Sequence, residues 1–289
     1  MNVEAGALYL VATPIGNLGD VSARALEVLG AVDWIAAEDT RHTRRLLAHF
    51  GIATPLFSAH AHNERARAAD IVERLAAGSS GALVVDAGSP GVSDPGALVV
   101  RAVIEAGRPV RVVPGPSAVV AALSISGLDT RAFTFAGFLP ARAGARDARL
   151  EGLLARPETL VLYEAPHRAR ATLEAIARLA PARRVAACRE LTKLHEEVRR
   201  GTAAEILAGL DAAQERGEWA LVVAGNAGEA KGAAPRAGAV SDDVARERFV
   251  EALLSTGVAR DEALRRAEFV LGPARAPRRK RSGPGRRTR

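Results

Sequence analysis

Three stretches of the chain are dense in glycine, proline and small hydroxyls, and each follows an apolar run: Thr13-Pro-Ile-Gly-Asn-Leu-Gly-Asp20, Asp86-Ala-Gly-Ser-Pro-Gly-Val-Ser-Asp-Pro-Gly96 and Pro114-Gly-Pro-Ser-Ala118. Such loops offer almost no apolar side chain to a core, but their backbone can approach a ligand closely. Free amides, carbonyls and Ser89 supply both donors and acceptors to a small polar molecule. None of the three fits G-x-G-x-x-G or a P-loop, and none gathers Lys or Arg as a triphosphate site would. The predicted chemistry is therefore the binding of a zwitterionic or neutral cofactor. Each stretch alone could be a tight turn. The middle one should also cap a helix that starts at Pro95, with Asp94 as its N-cap. Three loops on one sheet edge point to one bound cofactor.

The elements needed to bring these loops together follow from hydrophobic patterning. Strand-sized apolar runs at Leu8–Ala12, Trp34–Ala37, Thr54–Phe57, Leu83–Asp86 and Val110–Val113 alternate with helical patterns at Ser22–Leu29, Thr40–Ala48, Glu64–Ala76 and Pro95–Glu105. After Pro114–Pro116 the alternation resumes, with strands at Phe133–Phe138, Leu160–Tyr163, Val185–Cys188, Glu197–Arg200 and Ala220–Ala224. Alternation of this kind predicts α/β units on parallel sheets. The expected division is an N-terminal α/β domain over 1–116 carrying the loops, a second α/β domain over 117–228, and an extension over 229–289. That extension begins in a Gly/Ala-rich linker over 225–239 and continues as two helices, Asp242–Ser255 (with Ser241 as a cap) and Arg260–Leu271, joined at Thr256 and Gly257.

A chain of 289 residues with 48% hydrophobic and 25% charged side chains can bury two modest cores, which excludes wholesale disorder. No apolar run approaches the roughly 20 residues of a membrane span. A single cysteine, Cys188, rules out a disulfide framework and reads as a small core residue. With no signal-peptide pattern at the amino terminus, a reducing, cytoplasmic location is expected. The net charge of +7 is unevenly placed. Residues 272–289 hold eight of the 40 basic residues and no acid, leaving 32 basic against 33 acidic residues in the body. Such a tail is either solvated charge or an arm for a polyanion.

The segments LYLVATPIGNLGD, AAEDTRHTRRLL, HNE, DAGSPGVSDPG, VPGPSA, YEAPHR and CRELTKLHEEVRRGT, in order from Leu8 to about Asn226, resemble the tetrapyrrole methylase superfamily. Within it they resemble the branch that methylates small-subunit ribosomal RNA on a cytidine 2′-oxygen; EDTR, SPGVSDPG and YEAPHR are specific to that branch. The resemblance implies the tetrapyrrole-methylase fold, two α/β domains with a cofactor cleft between them, with S-adenosyl-L-methionine as cofactor. It also implies small-subunit rRNA or the assembled small ribosomal subunit as partner, and a homodimer. It places the methyl donor against Pro14 and Ile15 of the first loop, Ala87, Gly88, Ser89 and Val92 of the second, and Ser117 and Ala118 of the third. From the second domain it adds Glu164 and Gly201. Ser89 stands where the superfamily carries an acid, a change in local polarity.

Methyl transfer from a sulfonium is an in-line displacement, so positioning supplies much of the rate. A ribose hydroxyl is a weak nucleophile that gains from a base or from a cation near the developing alkoxide. Candidates near strand ends are Glu38, Asp39, Arg41 and His42, with Glu164, His167, Arg168, Glu190 and Lys193 from the second half. Any one of these can equally be an ordinary ion pair. His60, His62 and Glu64 lack a fourth ligand at a recognised spacing, so a metal site is not expected; an RNA-contacting or loop-ordering role fits better. Two other functions compete: methylation of a corrinoid or a protein side chain on the same fold, and a non-catalytic RNA-binding or ribosome-assembly role. The first would want an apolar cleft and no basic segment, and only 4% of the residues are aromatic. The second would have lost the three loops.

Overall fold

The computed structural model describes residues 2–211, 216–226 and 242–271. Most of the expected linker, Ser241 and the basic tail lie outside these. The chain forms two compact units, residues 1–228 and 229–289.

The first unit holds two five-stranded sheets. The first contains β1 (Leu8–Val11), β2 (Trp34–Ala37), β3 (Leu56–Ser58), β4 (Gly81–Val84) and β5 (Val110–Val113), all parallel, in the order β3-β2-β4-β1-β5. Its central strands are apolar on both faces because helices cover both. Tyr9, Val11, Ile35 and Val84 meet Val28 and Leu29 of α1 (Ala23–Ala31) and Leu47 of α2 (Thr40–His49). Leu8, Trp34 and Leu83 meet Ile71 and Leu75 of α3 (Glu64–Ala76) and Val99 and Val103 of α4 (Ala97–Glu105). Gly81 lies under Trp34, whose indole occupies the space a Cβ would need. The neighbours β1 and β4 are left by chains running in opposite directions across the sheet, which opens a crevice beyond their carboxyl ends.

The second sheet is β6 (Phe133–Phe138), β7 (Thr159–Glu164), β8 (Arg184–Arg189), β9 (Glu197–Thr202) and β10 (Trp219–Val223), in the order β6-β7-β10-β8-β9. The expectation of a parallel sheet fails here, since only β6 and β7 run parallel. The reason is the connection length. Residues 190–196 between β8 and β9 contain no helix, and a parallel crossover needs about a dozen residues. Helices α6 (Ala143–Leu154), α7 (Pro166–Leu179) and α8 (Ala203–Ala208) supply the core on one face. The other face is covered by α5 (Ala118–Ser126), whose Val119, Ala122 and Leu123 pack with Val161, Ala186 and Val222, joined by Ile15 from the first loop. That shared core brings the loops of the first sheet to the edge of the second.

In the second unit, α9 (Asp242–Ser255) and α10 (Arg260–Leu271) pair across the turn at Gly257, with Ala263 and Ala267 fully buried. Arg265 and Arg266 both bind Glu262, so these two cations are partly neutralised. No helix among the described residues is long and apolar enough to cross a membrane.

Candidate functional site

The three small-residue loops do converge. After β1, the Thr13 N–H donates to the Gly88 carbonyl at 2.9 Å and the Gly88 N–H returns a bond at 3.0 Å, while the Thr13 hydroxyl donates to the Val85 carbonyl at 2.9 Å. The first and second loops are thereby one structure. Gly88 needs its glycine, because at φ +83° a side chain would be strained and would point at Ile15 and the Pro116 carbonyl. Gly115 of the third loop lies against Ala12, where a Cβ would come within 3.1 Å of the Ala12 Cβ. Ser117 is the N-cap residue of α5 yet makes no capping hydrogen bond with its side chain.

The long second loop is anchored by a residue from another element. The buried Glu64 carboxylate accepts the Gly96 and Leu98 N–H groups at 2.8 and 2.9 Å, satisfying the first turn of α4. The expected cap, Asp94, does not serve: α4 starts at Ala97 and its N-cap is Gly96. The difference has consequences, since Asp94 is released for the cavity below. Asn63 also orders its loop, accepting the His60 N–H at 2.8 Å and donating to the Ser58 carbonyl at 3.3 Å. His60 and His62 lie edge to face beside it.

Together the loops and the second sheet enclose a cavity of about 440 Å³. Ile15, Ala87, Gly88, Ser89, Val92, Ser117, Ala118 and Glu164 line it, so eight of the residues expected to hold the cofactor are brought together. Pro14 lies instead on an adjoining cavity, also of about 440 Å³, that is walled by the first loop and α2. Gly201 is in neither lining; it sits on β9 against Glu205.

The first cavity is acidic. Glu38, Asp86, Asp94, Glu164 and Glu218 line it, with no Lys, Arg or His among the described residues. Burial pushes the Asp94 carboxyl up to about 6, helped by the negative charges of Glu38 and Asp86. Burial likewise raises Glu38, against a hydrogen bond from the Asp86 N–H, with Asp86 and Asp39 adding repulsion. The ends of β2 and β4 are stitched together here: the Asp39 N–H donates to Asp86 Oδ1 at 3.1 Å. Tyr163 and Phe138 form an edge-to-face pair on the opposite wall, with ring centres 5.7 Å apart. Burial pushes the Tyr163 phenol up to about 12, partly offset by the Val119 backbone, and pushes the Cys188 thiol to about 12 as well, leaving it an inert wall residue. Trp219, also in the wall, keeps its indole Nε1 buried without a partner among the described residues.

The proposed catalytic residues scatter more widely. Glu38 faces the first cavity, while His42 and Lys193 face the second. Glu164 reaches the first cavity but is fully engaged: Oε1 meets the Ala165 N–H at 3.0 Å and Arg168 Nε at 3.1 Å, and Oε2 accepts the Thr172 hydroxyl at 2.6 Å. Arg168 also donates to the Leu139 and Pro140 carbonyls, so this pair fixes the start of α7. Arg41 is 84% exposed and folds back in a two-pronged pair with its neighbour Asp39, which holds that carboxyl well below its usual range. His167 is exposed and lines neither cavity. Lys193 Nζ bridges Glu190 Oε1 and Glu218 Oε2, each at 3.0 Å, and those bonds raise its basicity despite burial. Its stem crosses Gly16, where a Cβ would overlap Lys193 Cγ. Sequence reasoning missed Asp86, Asp94 and Glu218. The first two were visible inside the second loop, whereas Glu218, a lone acid before a strand, carried no signal.

Residues 7–207 match the family described as Tetrapyrrole (Corrin/Porphyrin) Methylases. The chain is 53% identical over 225 residues to the ribosomal RNA small subunit methyltransferase I of Xylella fastidiosa, covering 77% of this chain and 82% of that one. It is 44% identical over 272 residues to the protein of the same name in Synechocystis, covering 93% and 95%. Among solved structures, the uroporphyrin-III-C-methyltransferase of Thermus thermophilus superposes with a TM-score of 0.53 at 25% identity, covering 76% of this chain and 94% of that one.

Proposed function

The chain belongs to the tetrapyrrole methylase family, and on that premise we propose that it transfers the methyl group of S-adenosylmethionine to the 2′-oxygen of a cytidine ribose in small-subunit ribosomal RNA. The observation that carries the reading is the acid-lined cavity framed by the three small-residue loops, in a chain about half identical to proteins named for methylating that RNA. The residues suit this donor. Glu38, Asp86 and Asp94, lining carboxylates without an ion-pair partner among the described residues, favour a positively charged ligand, and the Gly88 turn leaves room for close backbone approach.

When bound, S-adenosylmethionine supplies an electrophilic methyl group whose leaving group needs neither proton nor metal. The chain's own residues do the rest. Backbone groups of Ala87 and Gly88, with the unused Ser117 hydroxyl, orient the donor. Asp94 is the general base: a carboxyl near 6 is ionised at neutral pH yet basic enough to take the ribose proton as the oxygen attacks. Glu38 and Asp86 keep it in that range. Glu164, being saturated, holds the wall in place and moves no proton. The partner is small-subunit rRNA, free or in the assembled subunit, the protein acts in the cytoplasm, and the working form is a homodimer. The test is mass-spectrometric mapping of ribose methylation in small-subunit rRNA from cells with and without the protein. One cytidine should lose its 2′-O-methyl group in the deletion; an unchanged map would overturn the reading.

A further inference from the structure

The second cavity differs from the first in carrying cations beside its acids. His42 and Arg45 of α2 and Lys193 line it, and it shares Ile15, Asp86, Ala87 and Glu218 with the acidic one. Ligands in the two cavities would meet across the Asp86–Ala87 wall.

Helix α2 carries Arg41, Arg44 and Arg45 in its first turn and a half and contains no acid. The helix dipole disfavours a cation in the first turn, where Arg41 lies. Only Arg41 is compensated, by Asp39. Arg44 and Arg45 are exposed and make no hydrogen bond or ion pair among the described residues. Their guanidinium groups are free to meet an anion outside the chain.

Lys193 is the third cation, and it is carried on a strained segment. Glu190 and Thr192 both adopt left-handed backbone, at φ +51° and +68°, a conformation that costs energy in residues other than glycine. Its bond to Glu218 is one that RNA can replace, because the Glu218 side chain is 75% exposed and exposed ion pairs contribute little.

We propose that the second cavity is the acceptor site for single-stranded RNA: the target nucleotide enters beside His42 and its ribose reaches across the Asp86–Ala87 wall towards Asp94, Arg45 and Lys193 hold its flanking backbone phosphates, and Arg44 extends the track along α2. Lys193 exchanges Glu218 for phosphate as the RNA seats. The proposal rests on the methyl-transfer reading above and adds to it which cavity takes which substrate.

The experiment compares wild-type protein with Arg45→Glu and Arg45→Lys. Arg45 is exposed and unpartnered, so both variants should fold. Binding of a single-stranded small-subunit rRNA fragment is measured across a salt series, and binding of S-adenosylmethionine by calorimetry. Arg45→Glu should weaken RNA binding roughly tenfold and flatten the dependence of log affinity on log salt by about 0.7 per lost phosphate contact. Arg45→Lys should keep most of the slope, and donor affinity should stay within about twofold in both, since neither charge enters the first cavity. Unchanged RNA affinity and slope in Arg45→Glu would overturn the proposal. So would a parallel loss of donor affinity, which would make the second cavity part of the donor site. Normal RNA binding by a wild-type protein that methylates no RNA would instead overturn the function and leave the binding site standing.

Discussion

Replacing Asp94 by Asn should stabilise the free protein at neutral pH. Folding raises this carboxyl from 3.8 to about 6, by burial and by the nearby charges of Glu38 and Asp86. The folded state therefore holds its proton over a pH range in which the unfolded chain has released it. Below 3.8 both states are protonated and the residue is neutral in its effect. Between that value and about 6 stability falls as pH rises, and above 6 the full penalty remains. A shift of about two units corresponds to roughly 3 kcal/mol, but Asp94 is only half buried, and solvent screening reduces this to about 1 kcal/mol. The assay is unfolding of wild type and Asp94→Asn at pH 4.5 and 7.5 without ligand. The variant should gain about 1 kcal/mol, or roughly 2–4 °C in Tm, at pH 7.5, with the gain shrinking towards pH 4.5. Methyl transfer should meanwhile fall by roughly 10²–10⁴ if Asp94 is the base. A stability difference that does not vary with pH, or a variant less stable at pH 7.5, would refute the account of Asp94 as a desolvated member of a carboxylate cluster.

Gly88→Val should abolish binding of S-adenosylmethionine, measured by calorimetry, because a branched side chain at φ +83° strains the backbone and intrudes between Ile15 and Pro116. Glu64→Ala should cost about 2 kcal/mol in denaturant unfolding by leaving one buried and one half-buried amide at the start of α4 without an acceptor. The same variant should loosen donor binding by releasing the second loop. Glu164→Ala should cost about 3 kcal/mol, seen as a lowered Tm, because it strands Arg168 beside a buried site; loss of turnover with stability intact would show it to be catalytic instead. Deleting residues 273–289 should flatten the salt dependence of RNA binding while leaving donor affinity unchanged, since the tail holds basic residues and no acid.

Much of this protein was legible in its sequence, because the relevant physics is local. Strand-sized runs of four to six residues, most of them apolar, located all ten strands to within a few residues. The three loops were recognisable by composition, as no core can use so many small residues, and eight of ten expected cofactor residues share one cavity. Partnership was not legible, because it depends on what distant segments bring. Asp94 looked like a helix cap until Glu64, thirty residues earlier, took the amides and freed it. Arg41 and Glu164 looked available for chemistry, but Asp39 and the pair of Arg168 and Thr172 occupy them. The position of β10, antiparallel between β7 and β8, was likewise not legible from local sequence. Local sequence determines which segments become strands, helices and ligand-ready loops, since those depend on backbone preference and burial period. Tertiary structure alone decided which charges meet: an acidic cavity beside one of mixed charge, arising because strands far apart in sequence end at one crevice and bury some carboxylates while pairing the others.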